Sequence, residues 1–173
     1  YTEFNKGLLK SKKPSVFLEG LLKTGAIKNY PELEALIGCE QNPEFHPEGD
    51  VWNHTLEVLD RAATVRNKVT NPLGFMYGAL CHDMGKPLTT KVTNGKITSY
   101  NHDIEGVEIA EKFMRRLTNE KDVINLVKDI TLNHMIVHRL TTMKPKTVRD
   151  WMIKTDVPTL LWMGYADGET ETQ

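Results

Sequence analysis

The stretch Leu80-Cys81-His82-Asp83-Met84-Gly85-Lys86 decides how the rest of the chain is interpreted. It ends an apolar helical segment with an adjacent imidazole and carboxylate, and this pair of donors suits divalent transition metals. On a helix the two side chains leave about 100° apart, so both can reach one ion. Because a bare His-Asp pair is common, the metal hypothesis depends on partners elsewhere in the chain.

Two histidines on predicted helices are the first candidate partners. His54 lies in an apolar stripe with Val58 one turn later, and His134 lies in line with Ile130, so both are expected to face inward. A buried histidine needs a partner for each ring nitrogen. A metal on one nitrogen and a hydrogen bond on the other would meet that need.

A carboxylate and a further histidine complete the set of candidate ligands. Asp167 follows Leu160 and Met163 on the inner face of the last predicted helix. A buried carboxylate is costly without a cation, so Asp167 is a candidate ligand. His102 begins a helix at Asn101-His102-Asp103 and is either a ligand or a substrate contact.

Three residues are candidates for contacts with the substrate. Lys86 puts a positive charge beside the His-Asp pair, which suits a phosphate oxygen, although a surface ion pair with Asp83 is the simpler alternative. His46 lies in a proline-rich loop and is either a substrate contact or without a role. His138 follows His134 by one turn, where it could chelate, contact the substrate or only stabilise the helix end.

The pattern of the chain is mostly helical. Asp50 predicts the cap of a long helix, and Asn71-Pro72 predicts the start of the next one, with Gly85 as its C-terminal stop. Asn94-Gly95 between β-branched residues predicts a two-stranded hairpin, because both turn positions must tolerate positive φ. The predicted fold class is therefore all-α, with one small β-hairpin insertion near 91–100.

Composition indicates an ordinary globular protein. The 173 residues are 39% hydrophobic and 26% charged, with a formal net charge of -1. We predict one domain over 1–173, made of a helical lead-in (1–45) and a metal-binding core (46–173). The charge gives no support to a dedicated nucleic-acid surface, although a local basic patch is allowed.

Cysteine content and hydropathy bear on location. The two cysteines are too few for a disulfide framework. The chain shows no signal peptide and no apolar run near the ~20 residues of a membrane span. We therefore expect a cytoplasmic protein without a membrane partner. Because the chain opens at Tyr1 rather than Met, we expect it to be a piece of a larger parent protein. A homo-oligomer is the alternative expectation for its partners.

In chain order, His54, the pair His82-Asp83 and Asp167 resemble the ligand set of the HD superfamily of metal-dependent phosphohydrolases. Longer strings resemble the HD domain of bacterial multifunctional CCA-adding enzymes, which are tRNA nucleotidyltransferases. These strings are His46-Pro-Glu-Gly-Asp-Val-Trp-Asn-His54-Thr55, Leu80 to Lys86, Tyr100 to Gly106, Asn133 to His138 and Ala166-Asp167-Gly168. The glycine-rich strand-turn and Asp-x-Asp pair of the nucleotidyltransferase head do not occur in this sequence.

The resemblance implies an HD-domain helical bundle and a primary metal site with four ligands: His54, His82, Asp83 and Asp167. In relatives with two metals, histidines at the positions of His102 and His134 hold the second ion, and the aspartate of the pair bridges. The resemblance also implies phosphatase, 2'-nucleotidase and 2',3'-cyclic phosphodiesterase activities.

We therefore predict a metal-dependent phosphohydrolase that acts on nucleotides or RNA ends. It would use one or two divalent ions (Mn, Ni, Co, Fe or Mg), with Asp83 and Lys86 as catalytic residues and Lys86, His46 and His138 as substrate contacts. Such ions lower the pKa of a bound water towards about 7 and polarise the phosphoryl group. No serine or cysteine nucleophile is then needed, and Cys81 is expected to be buried and unreactive.

Two alternatives from other classes stay open. Some HD-fold proteins hold a di-iron pair with the same ligands and act as oxygenases. A chain of this kind could also be a catalytically inert RNA- or subunit-docking module of a tRNA nucleotidyltransferase-like protein. The complete ligand set argues against an inert module, but a fold alone proves no function.

Overall fold

A computed structural model describes residues 1–168 as a helical protein with one small β-hairpin. The helices are α1 (Thr2–Leu9), α2 (Pro14–Thr24), α3 (Pro31–Glu34), α4 (Val51–Val65), α5 (Pro72–Cys81), α6 (Lys86–Thr89), α7 (His102–Leu117), α8 (Lys121–Val137), α9 (Pro145–Lys154) and α10 (Val157–Asp167). Strands β1 (Lys91–Thr93) and β2 (Lys96–Thr98) lie between α6 and α7. The predicted fold class is confirmed. Within residues 1–168, no helix combines the length and apolar character needed to cross a bilayer.

Polar caps fix where two helices near the candidate ligands begin. One of these helices carries His54, and the other precedes His82 and Asp83. The Asp50 carboxylate accepts a hydrogen bond from the Asn53 backbone N–H at 2.8 Å, which starts α4. The Asn71 side chain accepts one from the Gly74 backbone N–H at 3.0 Å, which starts α5. Each cap satisfies an amide donor that the first turn of a helix leaves without a partner. Both predicted helix starts are confirmed.

The centre of the bundle is α5. Its residues from Gly74 to Cys81 are all buried, as expected for a helix that is apolar on every face. It packs against α1, α4, α8 and α10. Gly78 allows the close approach to α8, because a Cβ at this position would overlap the Ile130 side chain. Helices of the lead-in contribute Phe4 and Leu18 to the same continuous core.

The His82-Asp83 pair lies in a turn rather than on the helix itself, because α5 ends one residue earlier. The prediction that Gly85 supplies the C-terminal stop of this helix is wrong, since α5 ends at Cys81 and the φ of Gly85 is -78°, outside the left-handed region of a glycine cap. Gly85 is needed for a different reason. A Cβ there would overlap the His102 carbonyl oxygen and lie 2.8 Å from the Gly106 backbone nitrogen. The turn and the start of α7 are therefore in backbone contact.

The hairpin forms where the sequence predicts it. Asn94 and Gly95 have φ values of 52° and 75°, as a type I′ turn requires. The strands pair antiparallel with Val92 opposite Ile97. Both strands are largely exposed, so the hairpin stands out from the helical bundle beside the start of α7.

We expect Gly85→Ala to lower the free energy of unfolding by at least about 2 kcal/mol, because the added methyl group would overlap backbone atoms that cannot rotate away. Urea unfolding of the chelator-treated protein, followed by circular dichroism, measures the change. Gly20→Ala is the control, since nothing lies within 4 Å of a Cβ there. That change in α2 should be neutral or stabilise by up to about 1 kcal/mol. An unchanged midpoint for Gly85→Ala would contradict the close contact.

Candidate metal centre

Five parts of the fold meet at one buried cluster of imidazoles and carboxylates. The members are His54 on α4, His82 and Asp83 after α5, His102 at the start of α7, His134 on α8 and Asp167 at the end of α10. Each is at most 6% exposed. The structure therefore brings together the whole set of side chains that the sequence predicts as ligands.

Four of these side chains form a first group of donor atoms. Nε2 of His54 lies 2.8 Å from Asp167 Oδ1 and 3.5 Å from Asp83 Oδ2. Nε2 of His82 lies 3.2 Å from Asp83 Oδ2 and 3.5 Å from Asp167 Oδ1. Donor atoms about 2.1 Å from a common ion lie roughly 3.0–3.4 Å from one another. The atoms of His54, His82 and Asp83 are therefore spaced closely enough to surround one ion, and Asp167 Oδ1 lies beside both histidines.

A second group uses the other oxygen of the same aspartate. Asp83 Oδ1 lies 3.3 Å from His102 Nε2 and 3.4 Å from His134 Nε2. The two Nε2 atoms are 3.0 Å apart. The carboxylate of Asp83 thus has one oxygen facing each group, which is the position of a bridging ligand.

The histidines direct Nε2 into the cluster because their Nδ1 atoms are held elsewhere. In His82, His102 and His134, Nδ1 donates to the backbone carbonyl three residues earlier, at 2.7 to 2.9 Å. In His54, Nδ1 lies 2.8 Å from Glu48 Oε1. An acceptor at Nδ1 places the hydrogen there and leaves the Nε2 lone pair for a metal.

Two buried atoms indicate that the cluster needs a cation. His82 Nε2 and Asp83 Oδ2 make no hydrogen bond among the residues described, although they lie 3.2 Å apart and Lys86 Nζ lies 3.3 Å from Asp83 Oδ2. Burying such groups without a hydrogen bond is costly. Nε2 atoms facing each other at the distance between His102 and His134 also need a proton or cation between them. Imidazole and carboxylate donors suit divalent transition metals, so the cluster could hold them.

Charges within the cluster shift the protonation of its members. Burial alone would lower the pKa of His54, but the contacts with Asp167 and Glu48 outweigh it and raise the pKa to about 9. Burial alone would raise the pKa of Asp83, but the neighbouring charge of His82 holds it well below its usual range. Without a metal, a proton therefore occupies the His54 nitrogen that a metal would need.

Glu48 belongs to the site but is not singled out by the sequence. Its Oε1 lies 3.0 Å from His46 Nδ1 as well as beside His54. Burial raises the pKa of Glu48, but the hydrogen bond with His54 outweighs it, and the pKa falls to about 2. The residue lies inside the string His46 to His54 that carries the family resemblance. No periodic pattern in this loop shows where its side chain points.

The end of α10 is fixed by contacts from other helices. Arg61 on α4 donates to the backbone carbonyls of Ala166 at 2.6 Å and Asp167 at 3.3 Å. These bonds satisfy carbonyls that the last turn leaves without a partner. His138 Nε2 lies 3.3 Å from Asp167 Oδ2, so this predicted substrate contact lies against a carboxylate of the cluster.

A cleft of about 550 Å³ opens beside the cluster and is lined in part by His46, Lys86 and His102. Lys86 is only 5% exposed. Its Nζ lies 3.3 Å from Asp83 Oδ2 and 2.7 Å from Gln41 Oε1. The i,i+3 pair of Lys86 with Asp83 therefore forms, but it is buried rather than on the surface. A cation is thus held where the cluster meets the cleft.

The fold and the buried histidine–aspartate cluster define a class of protein. The family model described as the HD domain matches residues 51–155. The chain belongs to the HD domain family, whose members are commonly metal-dependent phosphohydrolases. The matched segment ends before Asp167, so the place of that carboxylate in the cluster rests on its 2.8 Å contact with His54.

Two bacterial proteins are similar in sequence to most of this chain. The Multifunctional CCA protein of Neisseria meningitidis serogroup A is 35% identical over 157 residues, which are 90% of this chain and 36% of the relative. That of Actinobacillus pleuropneumoniae serotype 5b is 34% identical over 136 residues, or 78% of this chain and 33% of the relative. The chain thus spans about a third of the length of these relatives. The resemblance predicted from the sequence strings is confirmed.

We expect metal binding to release protons up to at least about pH 9, because the metal must displace the proton from His54, whose pKa is about 9 in the metal-free protein, and because the charge of Asp83 outweighs burial and raises the pKa of His82 as well. The raised pKa stabilises the metal-free fold fully below the ordinary histidine pKa of about 6.5, and this contribution disappears as the pH rises to about 9. Apparent metal affinity should therefore increase with pH across this window. Calorimetric titration with Mn²⁺ in buffers of different ionisation enthalpy measures the protons released. An affinity independent of pH from 6.5 to 9 would contradict the prediction.

Proposed function

We propose that this chain is a metal-dependent phosphohydrolase that acts on the phosphoesters of nucleotides or RNA ends. The observation that carries the proposal is the convergence of histidine Nε2 atoms on both oxygens of Asp83, in a buried cluster beside an open cleft. Membership of the HD domain family supports the hydrolase class. The resemblance to tRNA nucleotidyltransferases favours nucleotide and RNA-end substrates.

We propose that two divalent ions bind, with Asp83 between them. The first would be held by His54, His82, Asp83 and Asp167, and the second by His102, His134 and Asp83. Imidazole donors favour Mn, Ni, Co or Fe over Mg, which prefers oxygen ligands. Bound ions of this kind supply an activated water and neutralise charge that develops on the phosphoryl group.

The protein's own side chains position and stabilise the substrate. Contacts with Asp83 and Gln41 hold the Lys86 ammonium at the cleft, where it would stabilise negative charge on phosphate oxygens. His46 lines the cleft and is oriented by Glu48, so we propose it as a substrate contact. Cys81 is fully buried, and burial raises the pKa of its thiol well above the ordinary value. This thiol is therefore not a nucleophile.

We expect Asp83→Ala to reduce hydrolysis of a 2',3'-cyclic nucleotide by at least about 1000-fold, because it removes a donor from both groups. Circular dichroism should show that the helical signal is kept. Asp150→Ala removes an exposed carboxylate on α9 and should leave turnover unchanged. The parent protein should be equally active without oxygen, whereas an oxygenase would not be. Normal turnover by Asp83→Ala would overturn the proposed function.

We expect His134→Ala to bind one divalent ion fewer per chain than the parent, because it removes one of three donors of the second group. Elemental analysis after equilibration with Mn²⁺ or Co²⁺ and removal of the unbound metal measures the count. His54→Ala is the matched comparison and should weaken the first site while Asp83, His102 and His134 stay in place. One ion per chain in both the parent and His134→Ala would exclude the two-ion arrangement.

A further inference from the structure

We infer that the cleft beside the metal centre binds a nucleobase and its sugar, with the rings of Phe45 and Tyr100 as stacking surfaces. The inference rests on the proposed function, because it names the part of the substrate that lies beyond the phosphoester. It assigns substrate selection to a loop and a hairpin that supply none of the proposed metal ligands.

Two aromatic side chains in the cleft are exposed to solvent. Phe45 is 49% exposed and Tyr100 is 78% exposed, and both line the cleft. An exposed aromatic ring offers a flat apolar face to a ligand. Bases stack on such faces, and stacking tolerates any base because every base has a π-face. Two rings in one concave surface therefore favour a ligand that carries a planar ring.

The cleft has the size and position that a nucleotide needs. Its volume of about 550 Å³ lies within the roughly 300–1,000 Å³ range of small-molecule sites. Lys86 and His102 belong to both the cleft and the surroundings of Asp83. A ligand with its phosphate at Lys86 would therefore extend along the cleft towards the aromatic rings. Lys96 also lines the cleft and adds a positive charge for an anionic ligand.

The hairpin wall of the cleft is held by residues next to the metal centre. The hydroxyls of Thr90 and Ser99 are hydrogen-bonded at 2.8 Å, which ties the two ends of the hairpin together. The Ser99 backbone carbonyl accepts the Nδ1 hydrogen bond of His102 at 2.9 Å. Tyr100 lies between Ser99 and His102 in the chain, so these hydrogen bonds fix its backbone position relative to the cluster.

The loop wall is held in a similar way. The Gln41 side chain accepts a hydrogen bond from Lys86 at 2.7 Å, and Glu48 contacts both His46 and His54. Phe45 lies between these two anchors in the chain. Both walls therefore present their rings from positions set in advance, which reduces the conformational entropy lost on binding. A phosphoester without a ring would leave both aromatic faces in water.

The test is calorimetric binding of adenosine 3'-monophosphate to the chelator-treated protein, which needs no turnover. We expect Tyr100→Ala and Phe45→Ala each to weaken binding about tenfold or more, whereas Tyr100→Phe keeps the ring and should bind within about twofold of the parent. Tyr165→Ala removes a half-exposed ring on α10 that is outside the cleft lining, and its binding should not change. Ribose 5-phosphate should bind at least about tenfold more weakly than the nucleotide. Equal binding of the two compounds, or unchanged binding by Tyr100→Ala and Phe45→Ala, would overturn the inference.

Kinetics separate this inference from the proposed function. Glycerol 1,2-cyclic phosphate carries the same five-membered cyclic phosphodiester as a 2',3'-cyclic nucleotide but has no base. Tyr100→Ala should raise KM for 2',3'-cyclic AMP about tenfold and leave kcat/KM for the glycerol ester unchanged. An equal loss on both substrates would overturn the base-binding role. Nucleotide binding that depends on Tyr100 in a protein without hydrolysis would support the cleft and reject the hydrolase.

Discussion

The main constraint on this structure is the free-energy cost of burying carboxylates and imidazoles together, away from water. Asp83 and Asp167 are almost fully buried, and Lys86 is the lysine held against Asp83. Buried carboxylates are tolerated only when cations or protons balance them. In the metal-free cluster the raised pKa of His54 provides part of that balance as a proton. A divalent ion bound to the same side chains would balance the carboxylates with two positive charges, where a proton supplies one.

The apolar scaffold holds the members of this polar cluster at fixed positions, where their charges can stabilise one another. Because α5 is buried on every face, the turn that follows it starts from a rigid element. The missing side chain of Gly85 then lets the start of α7 approach this turn, which brings His102 to the far side of Asp83. Arg61 fixes the last carbonyls of α10 and so positions Asp167. Contacts between helices thus position His102 and Asp167 in the cluster.

Much of the fold and the donor set follows from local sequence patterns. Asp50 caps α4 and Asn94-Gly95 turns the hairpin because both effects act within four residues. His54 and His134 were predictable as inward-facing because helical periodicity determines the face of a side chain. The role of Gly85 was not predictable, since it depends on α7, which is distant in sequence. Glu48 and the cleft lie on irregular loops, where no period indicates direction.

The metal centre and the cleft share parts, so neither can change independently of the other. Ser99 ends the hairpin that carries one wall of the cleft, and its carbonyl orients His102. Gln41 begins the loop that carries the other wall, and it holds Lys86 beside Asp83. A ligand that moved either wall would therefore alter the hydrogen bond that fixes a residue of the cluster. Binding of a ligand in the cleft and binding of metal in the cluster would be thermodynamically linked through these two contacts, and such linkage would act equally in both directions.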